Sequence, residues 1–528
     1  MRKLLATTSI AFTLLGCGVS SDSETTKTVE LAVSTPDLVT LTLPVISNQL
    51  AEGKLSSVEL VQAYLDRIEA IDRAGPTLNA IISINDQALV LAQESDARRK
   101  LGQAFSPLDG VPVLLKDNIE SKDELATTAG STALLDNLTG RDSPLVAALR
   151  DSGAIILGKT NLSQWANFRS SHSVSGWSSV GGLVKNPHVL DRQACGSSSG
   201  SGAAAAASLA AATVGTETNG SIICPSQVNG VVGLKPTHGL LSTDFIVPIS
   251  ATQDTAGPIT KSVGGAALLL DGMTRWTNAY FESLDPSLVQ GMRIGVLDFA
   301  RNDSPRLNAQ FDAAIARMEA AGAEIVRITD HETPPEYWKA SRLVLESEFK
   351  AYLDAYLSGS PADIPVRSLA NVVAFNEENA PVEQAIFGQD IMESSLEAPS
   401  LDSDEYREAL ALIRLVTREN GIDALLEKYN VQVLMGPSGP VSPRADVVNG
   451  DVWPAWAGAG SMAAVSGYPN LTVPVGTIAG VPVGVSFMGG RDQDSLLLSV
   501  GLAFEQAGSG SPVPEYKPSV NTEDMRAL

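Results

Sequence analysis

Residues 195–222 read CGSSSGSGAAAAASLAAATVGTETNGSI, and the fold is organised around them. Residues 196–202 form a Gly/Ser loop whose glycines permit strained backbone and close approach to a ligand. Its hydroxyls serve either as helix caps or as a nucleophile and its relay. Ala203 to Ala212 is almost all alanine. Alanine has the highest helix propensity but little area to bury, so this run reads as a tightly packed, buried helix. Residues 215–222 then form a polar, Gly-containing turn leading to Ser221 and an apolar run. Successive N–H groups in such a turn can converge on a developing oxyanion. A helix followed by a return brings its flanking loops, and with them Ser197 and Ser221, into one neighbourhood.

Working outward, Gly110 to Leu115 (GVPVLL) is a short apolar run bounded by turn residues, hence a buried strand. It delivers Lys116 at its end, followed by Asp117 and Asn118. Burial disfavours the ammonium form, and a neutral lysine amine is a general base. Taken alone, Lys116 reads better as a snorkelling lysine or one ion-paired with Asp117. Further strand signals lie at 154–157, 231–234, 293–297, 325–328, 432–435, 471–475 and 483–487. Ser56-Ser57-Val58-Glu59 is a capping-box pattern opening a helix that ends near Gly75-Pro76. Further helices fit about 85–100, the stretch from Ser143-Pro144 to Gly153, and the amphipathic run Leu307, Phe311, Ile315, Met318. Short apolar strands alternating with helices predict an α/β fold with a parallel or mixed sheet. We expect one large domain over 45–512, with a helical insertion at 335–420 and a C-terminal tail at 513–528.

The chain has 528 residues and a formal net charge of −23. Nucleic-acid binding rests on neutralising phosphates with Lys and Arg, so this balance argues against a DNA or RNA partner. The four histidines (His172, His188, His238, His331) and three cysteines show no metal-ligand spacing, and no cofactor is expected. Cys195 opens the stretch quoted above and Cys224 lies two residues beyond its end. We expect them as small buried hydrophobes, with a disulfide as the alternative in an exported chain. At the N-terminus, Arg2 and Lys3 precede an apolar run ending Leu14-Leu15-Gly16-Cys17. This segment reads as a secretory signal, and its ending resembles the bacterial lipoprotein box. Residues 1–17 are thus the expected lipoprotein signal peptide, with Cys17 as the lipidated residue. Residues 18–44 read as a polar tether, and the protein as one held on the periplasmic or cell-surface face of a membrane only through this lipid. No later apolar run is long enough to span a bilayer.

GVPVLLKDN (110–118), CGSSSGSG (195–202) and GTETNGSI (215–222) resemble, in this order, the three blocks of the amidase signature family. GLKPT (233–237), GKTNLS (158–163) and the segments 463–475 and 480–487 are similar to further blocks, so the resemblance covers nearly all of 45–512. It implies a large mixed β-sheet core flanked by α-helices on both sides, and a Ser-Ser-Lys hydrolase of carboxylic amides. Residue by residue, Ser221 matches the nucleophile. Ser197 matches the bridging serine, which family members hold on a cis peptide bond. Lys116 matches the base, and Ser198 stands behind them in support. The backbone N–H groups of Thr218, Asn219, Gly220 and Ser221 match the oxyanion hole.

The chain departs from the common family pattern in three places. Asn219 replaces the first glycine of the usual Gly-Gly-Ser-Ile turn, Ile223 stands where arginine is common, and the loop is Cys-Gly-Ser-Ser-Ser-Gly. With Trp165 to Arg169 and Ser175-Gly176-Trp177, these variants are similar to the bacterial peptide amidase branch, which implies a short peptide amide or other small linear amide as substrate. The missing arginine, the acidic surface and the export signal weigh against a glutamine-hydrolysing amidotransferase subunit. A non-catalytic ligand-binding lipoprotein on the same scaffold is the alternative from another class. Gly196-Ser197-Ser198-Ser199-Gly200 also fits GxSxG with Ser198 central, which would call on His238 or His331.

Overall fold

A strand buried on both faces reads as a continuous apolar run, and such runs recur along this chain between amphipathic helices. The computed structural model describes residues 37–508 and 510–521. Cys17 and the signal segment lie outside the described residues. The strands are β1 (Ile81–Ile84), β2 (Pro112–Lys116), β3 (Ile155–Thr160), β4 (Trp177–Ser178), β5 (Gly182–Leu183), β6 (Ala212–Glu217), β7 (Val232–Lys235), β8 (Thr255–Thr260), β9 (Arg293–Leu297), β10 (Glu324–Ile328), β11 (Val433–Pro437), β12 (Asn470–Ile478) and β13 (Val481–Met488). Eleven of them form one mixed sheet in the order β1-β3-β2-β6-β8-β7-β12-β13-β11-β9-β10, and β4 and β5 make a separate pair. Parallel pairing joins β2 to β3 and β6, and β9 to β10 and β11; the other pairs are antiparallel. Helices surround this sheet, as expected for the α/β class.

Most predicted elements are present. Ser56 caps the helix Ser57–Arg67, with Glu59 closing the reciprocal bond of a capping box. Pro144 opens the helix Pro144–Asp151, and the helix Pro305–Ala320 buries Leu307, Phe311, Ile315 and Met318. The stretch 335–420 is helical throughout its regular structure, with helices at Glu336–Ser358, Leu369–Glu378, Ala380–Glu383, Asp390–Leu396 and Asp404–Thr417. Its apolar residues Phe349, Leu353, Leu369 and Met392 pack against Trp165 of the main body.

The alanine run differs from expectation. The helix spans only Ser199–Ala206, and Ser208 adopts a left-handed φ of 56° that ends it. Strand β6 begins at Ala212, where β-branched Thr213 and Val214 suit a pleated, buried surface. Gly215, Thr216 and Glu217 therefore belong to a strand, not to the turn. Strands β1 and β8 also escape sequence reading, being short and interrupted by polar, Gly or Pro residues. Folded structure extends past both expected bounds. Leu38 and Leu41 are buried, a helix begins at Leu43, and Lys517 in the expected tail forms a bridge with Val189.

Candidate active site

The parallel neighbours β2 and β6 carry the first components. Lys116 is the last residue of β2 and is wholly buried. Its Nζ donates to Ser197 Oγ at 2.7 Å, to Thr216 Oγ1 at 2.8 Å and to the Thr216 carbonyl at 3.3 Å. Burial pulls the Lys116 pKa down to about 7, against the opposing charges of Asp254 and Glu217. An amine that is substantially neutral near pH 7 accepts a proton, and the hydroxyl in contact with it is that of Ser197.

Asp117 does not hold Lys116. It pairs instead with Lys159 of β3 at 3.6 Å and accepts from the Thr128 hydroxyl and amide. Strand β2 ends at Lys116 and the chain turns at Asp117, which separates Lys116 from its sequence neighbour and leaves it unpaired with that carboxylate.

Ser197 follows a cis peptide bond after Gly196. Its carbonyl accepts from the Ser163 amide at 3.0 Å, and the neighbouring Ser198 amide donates to the Ser221 carbonyl at 3.2 Å. This last bond brings the Gly/Ser loop against the turn after β6. Ser198 is wholly buried; its hydroxyl donates to the Thr216 carbonyl at 3.0 Å and accepts from the Thr216 amide at 3.1 Å. It supports the strand that holds Lys116 and has no histidine partner. His238 bonds the Ala251 carbonyl and His331 stacks on Phe299, so the GxSxG alternative has no catalytic histidine.

Ser221 is 8% exposed, whereas Ser197 and Lys116 are fully covered. Of the three residues, only Ser221 keeps any exposure. The turn leading to it is held from both ends. Glu217 Oε2 accepts from the amides of Ile222 and Ile223 at 2.7 and 3.0 Å. Thr218 Oγ1 donates to Asp254 at 2.5 Å, and Asp254 is anchored by the amides of Ile249 and Ser250. Gly220 has φ 82°, a conformation that a side chain would strain. The amides of residues 218–221 donate to no carbonyl among the described residues. Burial raises the Asp254 pKa to about 6.

A cavity of about 390 Å³ opens beside this turn, with Asn219, Gly220 and Ile223 in its wall. Glu217 and Asp451 line it, as do Trp338, Trp453 and Trp456. Cys195 and Cys224 also line it, and here the expectation of separate buried thiols is wrong. They are joined in a disulfide, with Cα atoms 6.0 Å apart. The Ser198–Ser221 contact brings together the segments that carry them.

Sequence reading singled out Lys116, Ser197, Ser198, Ser221 and the turn 218–221, and the structure brings Lys116 against Ser197 and the Ser198 amide against the Ser221 carbonyl. Sequence reading missed Thr216 as the partner of Lys116, and Asp254 as the anchor of Thr218. Thr216 lay inside a quoted motif, but only its place on β6 beside β2 gives it a task. Asp254 had no local signal.

The family model described as Amidase matches residues 59–498. A probable amidase of Arabidopsis thaliana is 37% identical over 86% of this chain and 88% of its own length. The A subunit of the glutamyl-tRNA(Gln) amidotransferase of Halorhodospira halophila is 33% identical, over 88% of this chain and 96% of its own. Among solved structures, the native peptide amidase of Stenotrophomonas maltophilia is 40% identical with a TM-score of 0.84, over 91% of this chain and 99% of that one.

Proposed function

The chain belongs to the amidase family and hydrolyses amide C–N bonds, and we propose that it does so through Ser221, Ser197 and Lys116, releasing ammonia from the C-terminal amides of short peptides. The observation that carries the mechanism is the buried 2.7 Å contact between Lys116 Nζ and Ser197 Oγ. Neutral Lys116 takes the Ser197 proton while Ser197 takes that of Ser221. Ser221 Oγ attacks the amide carbon, and the amides of residues 218–221 receive the developing oxyanion. The relay then runs backward. Lys116 returns its proton through Ser197 to the leaving nitrogen, the C–N bond breaks, and an ester to Ser221 remains. Water, deprotonated by the same relay, cleaves that ester and regenerates the free hydroxyl.

Two observations support peptide amides as the substrate. One is the 40% identity to a peptide amidase over nearly the whole fold. The other is the acidic lining of the cavity by Glu217 and Asp451. It disfavours a peptide ending in a free carboxylate and favours both the neutral amide and release of the acid product.

Residues 18–528, made without the signal, are assayed for ammonia release from a panel of peptide amides, beside Ser221→Ala and Lys116→Ala. Loss of several orders of magnitude in both folded variants supports the reading. Activity in either variant equal to wild type rejects the roles. Turnover of anilides or esters alone keeps the family and rejects the peptide-amide assignment. We further infer that Cys17 anchors the protein. Cys17→Ser then moves the full-length chain from the membrane to the soluble fraction of a bacterial host, and unchanged membrane association refutes the anchor. Among the described residues no helix is long and apolar enough to cross a membrane.

A further inference from the structure

Next to the cavity beside the Ser221 turn lies a second chamber of about 200 Å³. The two share Trp338, Trp456 and Ser461 as a common wall. This wall is tied to the oxyanion turn, because Asn219 Nδ2 donates to Ser461 Oγ at 3.1 Å, and Ser461 is in turn hydrogen-bonded to the Tyr337 hydroxyl. The remaining lining is largely apolar, with Phe299, Val416, Ala459 and Met462. Trp338 and Trp456 are 62% and 53% exposed. Exposed tryptophans on a wall shared by two hollows are unusual for a surface that meets only water, since large aromatic rings gain most from being covered. The chamber has several times the roughly 30 Å³ share of one water.

This inference rests on the reading of the site as one that releases ammonia. If the leaving group is ammonia, it offers no side chain to recognise, so selectivity must come from the acyl part of the substrate. We propose that the second chamber is a binding subsite for an aromatic side chain on the residue preceding the amidated one. The amidated residue occupies the first cavity, the chain passes Trp338 and Trp456, and the aromatic ring enters between Phe299 and Met462.

The test uses N-acetyl-Phe-Ala-amide and N-acetyl-Ala-Ala-amide. Their affinities for the Ser221→Ala protein are read from tryptophan fluorescence, and kcat/KM for ammonia release is read with the wild type. Burial of a phenylalanine side chain predicts about a 10- to 100-fold preference for the first peptide in both measurements. Ala459→Phe and, separately, Val416→Phe fill the chamber and bring the Phe/Ala ratio toward one. Ratios are compared within each variant, so a general loss of activity does not obscure the result. Equal affinities in the unfilled protein, or a preference undiminished in both filled variants, overturn the subsite. Turnover of both peptides without preference rejects the chamber alone. Phe-selective binding with no ammonia released keeps the chamber and rejects the hydrolytic reading. Failure to bind either peptide rejects both.

Discussion

Thr216→Val isolates one contact of the buried lysine. Valine keeps the shape and the strand preference of β6 but removes the hydroxyl that accepts from Lys116 Nζ at 2.8 Å and from Asn118 Nδ2 at 3.0 Å. A hydrogen bond to a charged group contributes about 1.5–3 kcal/mol. Lys116 keeps Ser197 Oγ at 2.7 Å and the Thr216 carbonyl at 3.3 Å, so the lower figure applies. The neutral amine loses less than the ammonium, and the pKa therefore falls further. At 1.36 kcal/mol per unit, about 1.5 kcal/mol moves it by roughly one unit, from about 7 in the wild type. Because the neutral form is the base, activity rises with pH through that value. The midpoint of kcat/KM for ammonia release, followed from pH 5 to 9, should move from near 7 to near 6. The plateau should fall as well, since the lysine is held less firmly. Asn118 Nδ2 loses its acceptor while buried, at a cost to stability of about 1–3 kcal/mol. A folded Thr216→Val protein whose midpoint stays in place, or moves upward, refutes the claim that this hydroxyl stabilises the protonated lysine.

Asp254→Asn should also move the midpoint downward, because the Asp254 charge raises the Lys116 pKa; a pH profile superimposable on the wild type above pH 6 contradicts this. Lys116→Met should abolish ammonia release and yet raise the melting temperature at pH 6. The lysine is depressed from its ordinary value to about 7, so its burial penalty is complete below pH 7 and fades as pH rises toward about 10.4. The stability gap between the two proteins should therefore narrow from pH 7 to pH 10, and a gap that widens would contradict the assignment. Breaking the Cys195–Cys224 bridge opens a loop with a sequence separation of 29, worth about 3.5 kcal/mol by loop entropy. Cys195→Ser with Cys224→Ser should lower the melting temperature, and intact-mass measurement should show the wild type lighter by two hydrogens than its reduced form.

How far the sequence reached is clear from particular residues. The strand ending at Lys116 was legible because an apolar run bounded by turn residues is a local pattern, and β2 obeys it; a role for the lysine came only with the family resemblance. The capping box at Ser56 and Glu59 and the proline opening the helix at Pro144 were likewise legible as local patterns. The alanine run was overextended because helix propensity carries no stop signal among alanines; the left-handed turn at Ser208 and the pairing of Thr213 and Val214 with strands on either side decided the end.

Composition, short apolar periods and local motifs by themselves determined the α/β class and the acidic character of the protein, because each depends on residue types or on neighbours within a few positions. Tertiary structure alone decided the rest. The pairing of β2 with β6 set Thr216 beside Lys116, and the packing of the Gly/Ser loop against the turn and helix after β6 joined Cys195 to Cys224. The turn that follows the last residue of β2 sent Asp117 to Lys159 and left Lys116 to Ser197 and Thr216, a choice made by the packing of neighbouring strands and not by proximity in the chain.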